Sequence, residues 1–172
     1  MLRGGGPPDL RELVLDACAR LLALSDLGVD RDAGRQLAEQ AVADGSAVAA
    51  YERWVRTQSG DPDEDALPLA PVVREVVALR SGYVQRLAAL PVGLAALHLG
   101  AGRREKDDPV DHAVGVVCRK KRGDEVEAGE PLAEIHARDE SAVAEAADHV
   151  LAAYELGGEP PRSRPIVLDT LG

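Results

Sequence analysis

The chain has 172 residues, 45% hydrophobic and 29% charged, with 20 Lys and Arg against 30 Asp and Glu for a net charge of −10. That balance suits a soluble folded protein and disfavours disorder, while the negative field repels a phosphate backbone and argues against nucleic-acid binding. With no Phe, one Trp and three Tyr, the core has to be built from small aliphatics, and no aromatic platform for stacking bases exists.

Residues 9 to 24 predict a helix. Asp9 stands at an N-cap position with Glu12 three residues on, and Leu10, Leu13, Val14, Ala17, Leu21 and Leu24 form one apolar stripe. A second helix is expected from Arg31, capped by Asp30, to Ala43, with Gly45 as its stop. Ser46 is placed as the cap of a third, from Ala47 to about Gln58, with Val48, Tyr51, Trp54 and Val55 at helical spacing.

"SGDPDEDALPLA", residues 59 to 70, is acidic, broken by Pro62 and Pro68, and reads as a linker. Beyond it, "PVVREVVAL" and "GYVQRL" read as strands, and Pro91 to Leu99 as a short helix. Val114 to Arg119 and Pro131 to His136 are two more strands, with a turn at Lys121 to Asp124. A helix over 140 to 156 follows, stopped by Gly157 and Gly158, and Pro165 to Asp169 is read as a last strand. Helices first and short strands with helices after them give an α+β class.

Candidate chemistry is thin. The glycines of "GAGRR" with Arg103 and Arg104 offer an anion loop, but the segment follows a helix rather than opening one, so a glycine-stopped helix and solvated loop is favoured. Asp107, Asp108 and Asp111 sit among Arg103, Arg104 and Lys106 and read as a self-neutralised surface. His98, His112, His136 and His149 show no metal spacing, and Cys18 and Cys118 form no CxxC pair. Cys118 has no local activating base, and no Gly-x-Ser-x-Gly elbow occurs. No apolar run is long enough to span a bilayer and no signal peptide is present, so a cytoplasmic location is expected.

The spacing Gly123-Asp124-x-Val126-x-x-Gly129-x-x-Leu132 resembles the hairpin of biotinyl and lipoyl carrier domains. Asp139 stands about where such a domain carries its modified lysine, which leaves a stand-alone interaction or carrier-like module without its swinging arm.

Taken in order, "GGGPPDLRELVL", "DGSAVAAYERWVRTQSGDP", "SGYVQRLAALPVGLAALHLGAGRREKDDPVDHAVGV" and "KKRGDEVEAGEPLAEIHARDE" resemble the C-terminal part of thymidine phosphorylase and related pyrimidine-nucleoside phosphorylases. The resemblance implies a pentosyltransferase family in which inorganic phosphate, a co-substrate, attacks the anomeric carbon of a pyrimidine nucleoside in a cleft between an all-α and an α/β domain. It implies that residues 1–60 are helices of the phosphate-binding α/β domain, 61–70 a linker, and 71–172 the C-terminal domain, hammerhead-like with a barrel-sandwich hairpin core. The family's phosphate and base motifs and its monovalent-cation site lie upstream of Met1. No catalytic, substrate-binding or metal residue therefore carries over, nor any cofactor, and the resemblance assigns no role near the cleft to His98, Arg103 or Arg104. The resemblance further implies a chain inactive alone, a partner in the N-terminal part of the same enzyme or a separately encoded half, a homodimeric whole, and apolar helix faces left without their sheet.

Overall fold

The computed structural model describes residues 1–171, in two compact units: residues 1–65 with 164–171, and residues 66–163.

The first unit is helical. α1 (Pro8–Ala23) begins at Pro8, one residue before the expected start, because the Pro7-Pro8 pair pre-sets the helical φ and lacks the donors a cap would satisfy. Asp9 is thereby drawn into the first turn, where its Oδ1 accepts from the Leu10 N–H at 2.9 Å, instead of capping. Glu12 closes no capping box either: it receives the Arg35 guanidinium at 2.9 and 2.7 Å.

α2 (Arg31–Ala43) starts as expected, with the Asp30 carboxylate accepting from the Ala33 N–H at 2.8 Å. α3 (Ser46–Thr57) is capped by Gly45 at φ +80°, not by Ser46, which becomes the first helical residue because Asp44 takes its N–H at 2.9 Å.

The apolar stripe expected to face the core of α1 is largely exposed. Leu15, Asp16 and Ala19 are the buried positions, while Leu10, Leu13, Leu21 and Leu24 are not. The reason lies in how α1 meets α2: Gly34 sits so close that a Cβ there would stand 2.9 Å from the Ala19 carbonyl oxygen. Only a face built from small residues allows that approach, and it turns the leucines outward. α3 buries none of its residues, and Tyr51 and Trp54 form a tilted ring pair at 6.3 Å.

The second unit is α+β with two small antiparallel sheets. Its strands are β1 (Val72–Val77), β2 (Gly82–Leu87), β3 (Gly115–Cys118), β4 (Glu125–Val126), β5 (Pro131–Ala137) and β6 (Tyr154–Gly157), with helices α4 (Ala89–Ala96) and α5 (Glu140–Ala153). One sheet has the order β1-β5-β3 and the other β4-β2-β6.

β5 is the centre. Ala133, Ile135 and Ala137 point inward with period two, and Ile135 faces Arg74 on one side and Val116 on the other. Val143, Ala146 and Val150 of α5 and Ala95 of α4 complete that core, so both helices contribute to the sheet's buried layer. A second cluster, Ala78, Val84, Val126 and Leu132, lies beneath the other sheet.

The helix read over 140 to 156 ends at Ala153, because Tyr154 to Gly157 is strand β6, paired antiparallel with β2. Tyr154 keeps helical spacing in sequence but is taken out of the helix by its phenol, which lies 2.8 Å from the Leu132 carbonyl and 3.0 Å from that of Lys120. Burial pushes this phenol above the usual tyrosine range. The strand expected at Pro165 to Asp169 does not form: the stretch is irregular, and Ile166 and Leu168 are exposed. β6 takes the second edge of β2 instead, and Pro160-Pro161 end the pairing soon after.

Candidate functional site

The richest segment of the second unit runs from Leu97 to Asp111. α4 does not end on a simple glycine stop. It widens into a π-type turn, Leu97–Ala101, in which Gly100 takes φ +100°, a conformation open to glycine. The chain then leaves as an irregular loop and opens no helix, so no row of free helix N–H groups faces an anion.

Asp108 ties the loop to itself. Asp108 accepts from the backbone N–H groups of Arg104 and Glu105, each at 3.1 Å, and lies 4.0 Å from the Arg104 Nε. Arg103 is exposed. A recess of about 160 Å³ between Leu97, His98, Gly100, Gly102, Arg104 and Asp108 is too small for a nucleoside.

Asp111 fastens the far end. The Arg138 guanidinium donates to both its oxygens at 2.5 and 2.6 Å, the Ala113 N–H adds a third bond at 3.0 Å, and the Asp111 N–H closes onto the Gly100 carbonyl at 2.9 Å. The Arg138 fork, helped by the Ala113 amide, holds the Asp111 carboxyl at about 2.

A carboxyl depressed below its unfolded value near 3.9 stabilises the fold fully above that value, and the contribution disappears as the pH falls towards 2. The loop is therefore expected to lose amide protection between about pH 4 and pH 2. Asp111→Asn should show the same loss at neutral pH and little further change on acidification, measured by hydrogen exchange of residues 100–113. An acid limb unaltered in that variant would refute this role for Asp111.

Sequence reading missed this pair because Asp111 and Arg138 lie 27 residues apart, with no local pattern to connect them. It also missed the meeting of His98, on the wide turn, with His149 of α5, whose rings stack edge to face at 5.2 Å. His112 is exposed in the loop, and His136 stands 3.7 Å from Glu134 on the outer face of β5. Among the described residues, no three His, Cys, Asp or Glu side chains converge on a metal-binding point. Cys118 lies near the Tyr154 phenol, which is spent on backbone carbonyls and is no activating base.

The glycine hairpin is a pair of tight turns. Gly123 and Gly129 take φ +103° and +85°, with closing bonds from Asp124 N–H to Lys121 C=O and from Glu130 N–H to Glu127 C=O. Its strands separate: β4 joins β2, whereas β5 joins β1 and β3. Asp139, the residue in the position of a carrier's lysine, caps α5 by accepting from the Ala142 N–H at 2.9 Å. A helix start replaces the exposed turn on which a swinging arm would ride.

The Asp111–Arg138 pair and the Asp111–Gly100 backbone bond brace the segment. Residues 83–157 match the family profile described as "Pyrimidine nucleoside phosphorylase C-terminal domain". The chain is similar to the protein named pyrimidine-nucleoside phosphorylase of Bacillus subtilis (strain 168), 38% identical over 144 residues, covering 81% of this chain and 33% of the relative. It is also similar to the protein of that name from Staphylococcus aureus (strain USA300), 39% identical over 139 residues, covering 78% of this chain and 32% of the relative. The match is to the C-terminal part of these relatives, and the chain spans about a third of their length.

Proposed function

We propose that this chain is the C-terminal portion of a pyrimidine-nucleoside (thymidine) phosphorylase, because residues 83–157 match the model of that family's C-terminal domain. Such an enzyme is a pentosyltransferase: inorganic phosphate displaces the base at the anomeric carbon, giving free pyrimidine and a pentose 1-phosphate. The observation that carries the reading is the match of 144 residues to the C-terminal third of the relatives.

In this reading residues 1–60 are helices of the phosphate-binding α/β domain, 61–70 the linker, and 71–172 the C-terminal domain. The hammerhead-like, barrel-sandwich description of that domain is supported by a hairpin that parts at Gly129 into two sheets. The chain's task is mechanical. It braces a domain whose closure over nucleoside and phosphate excludes water and holds the reactants in line. Phosphate and base are bound by the remaining two thirds, supplied in the same polypeptide or as a separate half, in a homodimer working in the cytoplasm. No cofactor is needed beyond a monovalent cation held upstream. No described helix is long and apolar enough to cross a membrane.

The 172-residue chain is expected to release no base from thymidine or uridine in phosphate. Joining it to the upstream two thirds of the Bacillus subtilis relative should restore phosphorolysis, followed by chromatography of the free base. Turnover by the 172-residue chain itself would overturn the assignment of a bracing role.

A further inference from the structure

His98 and His149 meet across two packed helical elements. His98 stands on the wide turn that ends α4, His149 in the third turn of α5, and their ring centroids are 5.2 Å apart with the planes at 61°. Each is placed by the residue that follows it: Leu99 and Val150 are buried in one aliphatic cluster, which fixes both backbones. His98 is exposed and His149 half-buried, so an ion can reach the pair from solvent.

Among the described residues, no hydrogen bond or ion pair takes a ring nitrogen of either histidine. Two imidazoles with unspent nitrogens, held in contact by a packed core, are a donor set for a borderline divalent cation. The spacing suits it: two imidazoles on one tetrahedral ion, each nitrogen about 2.0 Å from the metal, carry their centroids about 5 Å apart. The surrounding charge permits it as well. The chain is −10 overall, and Glu145 lies one turn before His149 on the same face of α5. Arg104, which borders the recess beside His98, is drawn to Asp108 at 4.0 Å.

We propose that His98 and His149 form a two-imidazole site for a divalent transition-metal cation of the zinc and nickel class. No third side chain among the described residues converges on the point, so water fills the remaining positions and the affinity is below that of a closed four-ligand site. Mg²⁺, which prefers oxygen ligands, is not a substitute. A bound ion clips the end of α4 to α5, at the start of the loop that Asp111 and Arg138 fasten at its far end. The site is independent of the phosphorylase reading and belongs to the second unit alone.

The test titrates the 172-residue chain with ZnCl₂ and NiCl₂ by calorimetry, and with ZnCl₂ by NMR of the histidine rings. One ion per chain is expected, with the His98 and His149 ring signals perturbed and those of His112 and His136 unmoved. His98→Ala and His149→Ala should each weaken binding at least tenfold, whereas His112→Ala and the replacement of zinc by MgCl₂ serve as controls, the first binding normally and the second not at all. Because His98 is exposed, its alanine variant keeps the fold even if the His149 variant does not. At a free-ion concentration a hundred times the dissociation constant, amides that exchange when the turn parts from α5 should slow about a hundredfold. The proposal is overturned if no saturable binding occurs, if binding survives His98→Ala, or if it is lost with Cys118→Ala instead, which places the ion on the thiol. Zinc-dependent dimers in sedimentation would likewise overturn it, since the ion would then join two chains.

Discussion

Replacing Ile135 with alanine is expected to cost the second unit about 3 kcal/mol, the middle of the range for emptying a fully buried aliphatic site. Ile135 is completely buried at the centre of β5, between β1 and β3 and beneath α4 and α5. The cluster around it combines Val76, Leu99, Val114, Val143 and Val150 with Ala95, Ala133, Ala137 and Ala146, and the alanines cannot extend into a vacated volume. In a core without phenylalanine, short aliphatics refill little of the space a branched side chain leaves, so a cavity term adds to the lost transfer energy. Ile135→Val removes one methylene and should cost about 1 kcal/mol. The measurement is hydrogen exchange of the β5 amides in the full chain, which reports this unit independently of α1 to α3. A loss below about 1 kcal/mol for the alanine variant would mean that Ile135 is not the centre of the core.

How far the fold was legible depended on whether its cause was local. α2 was readable to the residue because Asp30 caps it and the cap needs only its own next turn. The turns at Gly123 and Gly129 were readable because positive φ is a demand that glycine meets most readily. β5 was readable because alternation over Ala133 to Ala137 is a property of one strand. Failure came where a distant group decided. Tyr154 fits a helix by spacing, but its hydroxyl is held by the Leu132 carbonyl 22 residues earlier, and its backbone pairs with Leu87. The leucine stripe of α1 is largely exposed because Gly34 of α2 selects the Ala19 face instead.

The candidate site was legible mainly in what it lacked. That the GAGRR glycines precede no helix, and that Asp139 replaces a lysine, were visible in the sequence and match the geometry of the loop and of the α5 cap. The Asp111–Arg138 clamp and the His98–His149 contact were not visible, because each joins the loop after α4 to the segment after β5. Such contacts become readable only once β5 is known to lead directly into α5.

The contact between β2 and β6 predicts two glycine substitutions of opposite sign. Gly82 opens β2 at φ +154°, and a Cβ built there would lie 2.6 Å from the Gly157 carbonyl oxygen. That oxygen belongs to the backbone of the paired strand, so no side chain can swing aside to admit a methyl group. Gly82→Ala is expected to force β6 away from β2 and to cost about 2 kcal/mol, the scale of overpacking that must move backbone. The damage should spread, because Gly157 is itself pressed against Gln85, whose side chain reaches the Glu159 carbonyl. Gly93 is the control. It is exposed on α4 with nothing near its missing Cβ, so Gly93→Ala removes helix-opposing freedom and should raise stability by up to about 1 kcal/mol. Thermal unfolding of the full chain gives both signs, and exchange at residues 154–157 should rise only in the Gly82 variant. Equal or like-signed shifts would show that β6 does not pack against β2 through these glycines, and with it would go the explanation of why the chain after α5 turns into a strand.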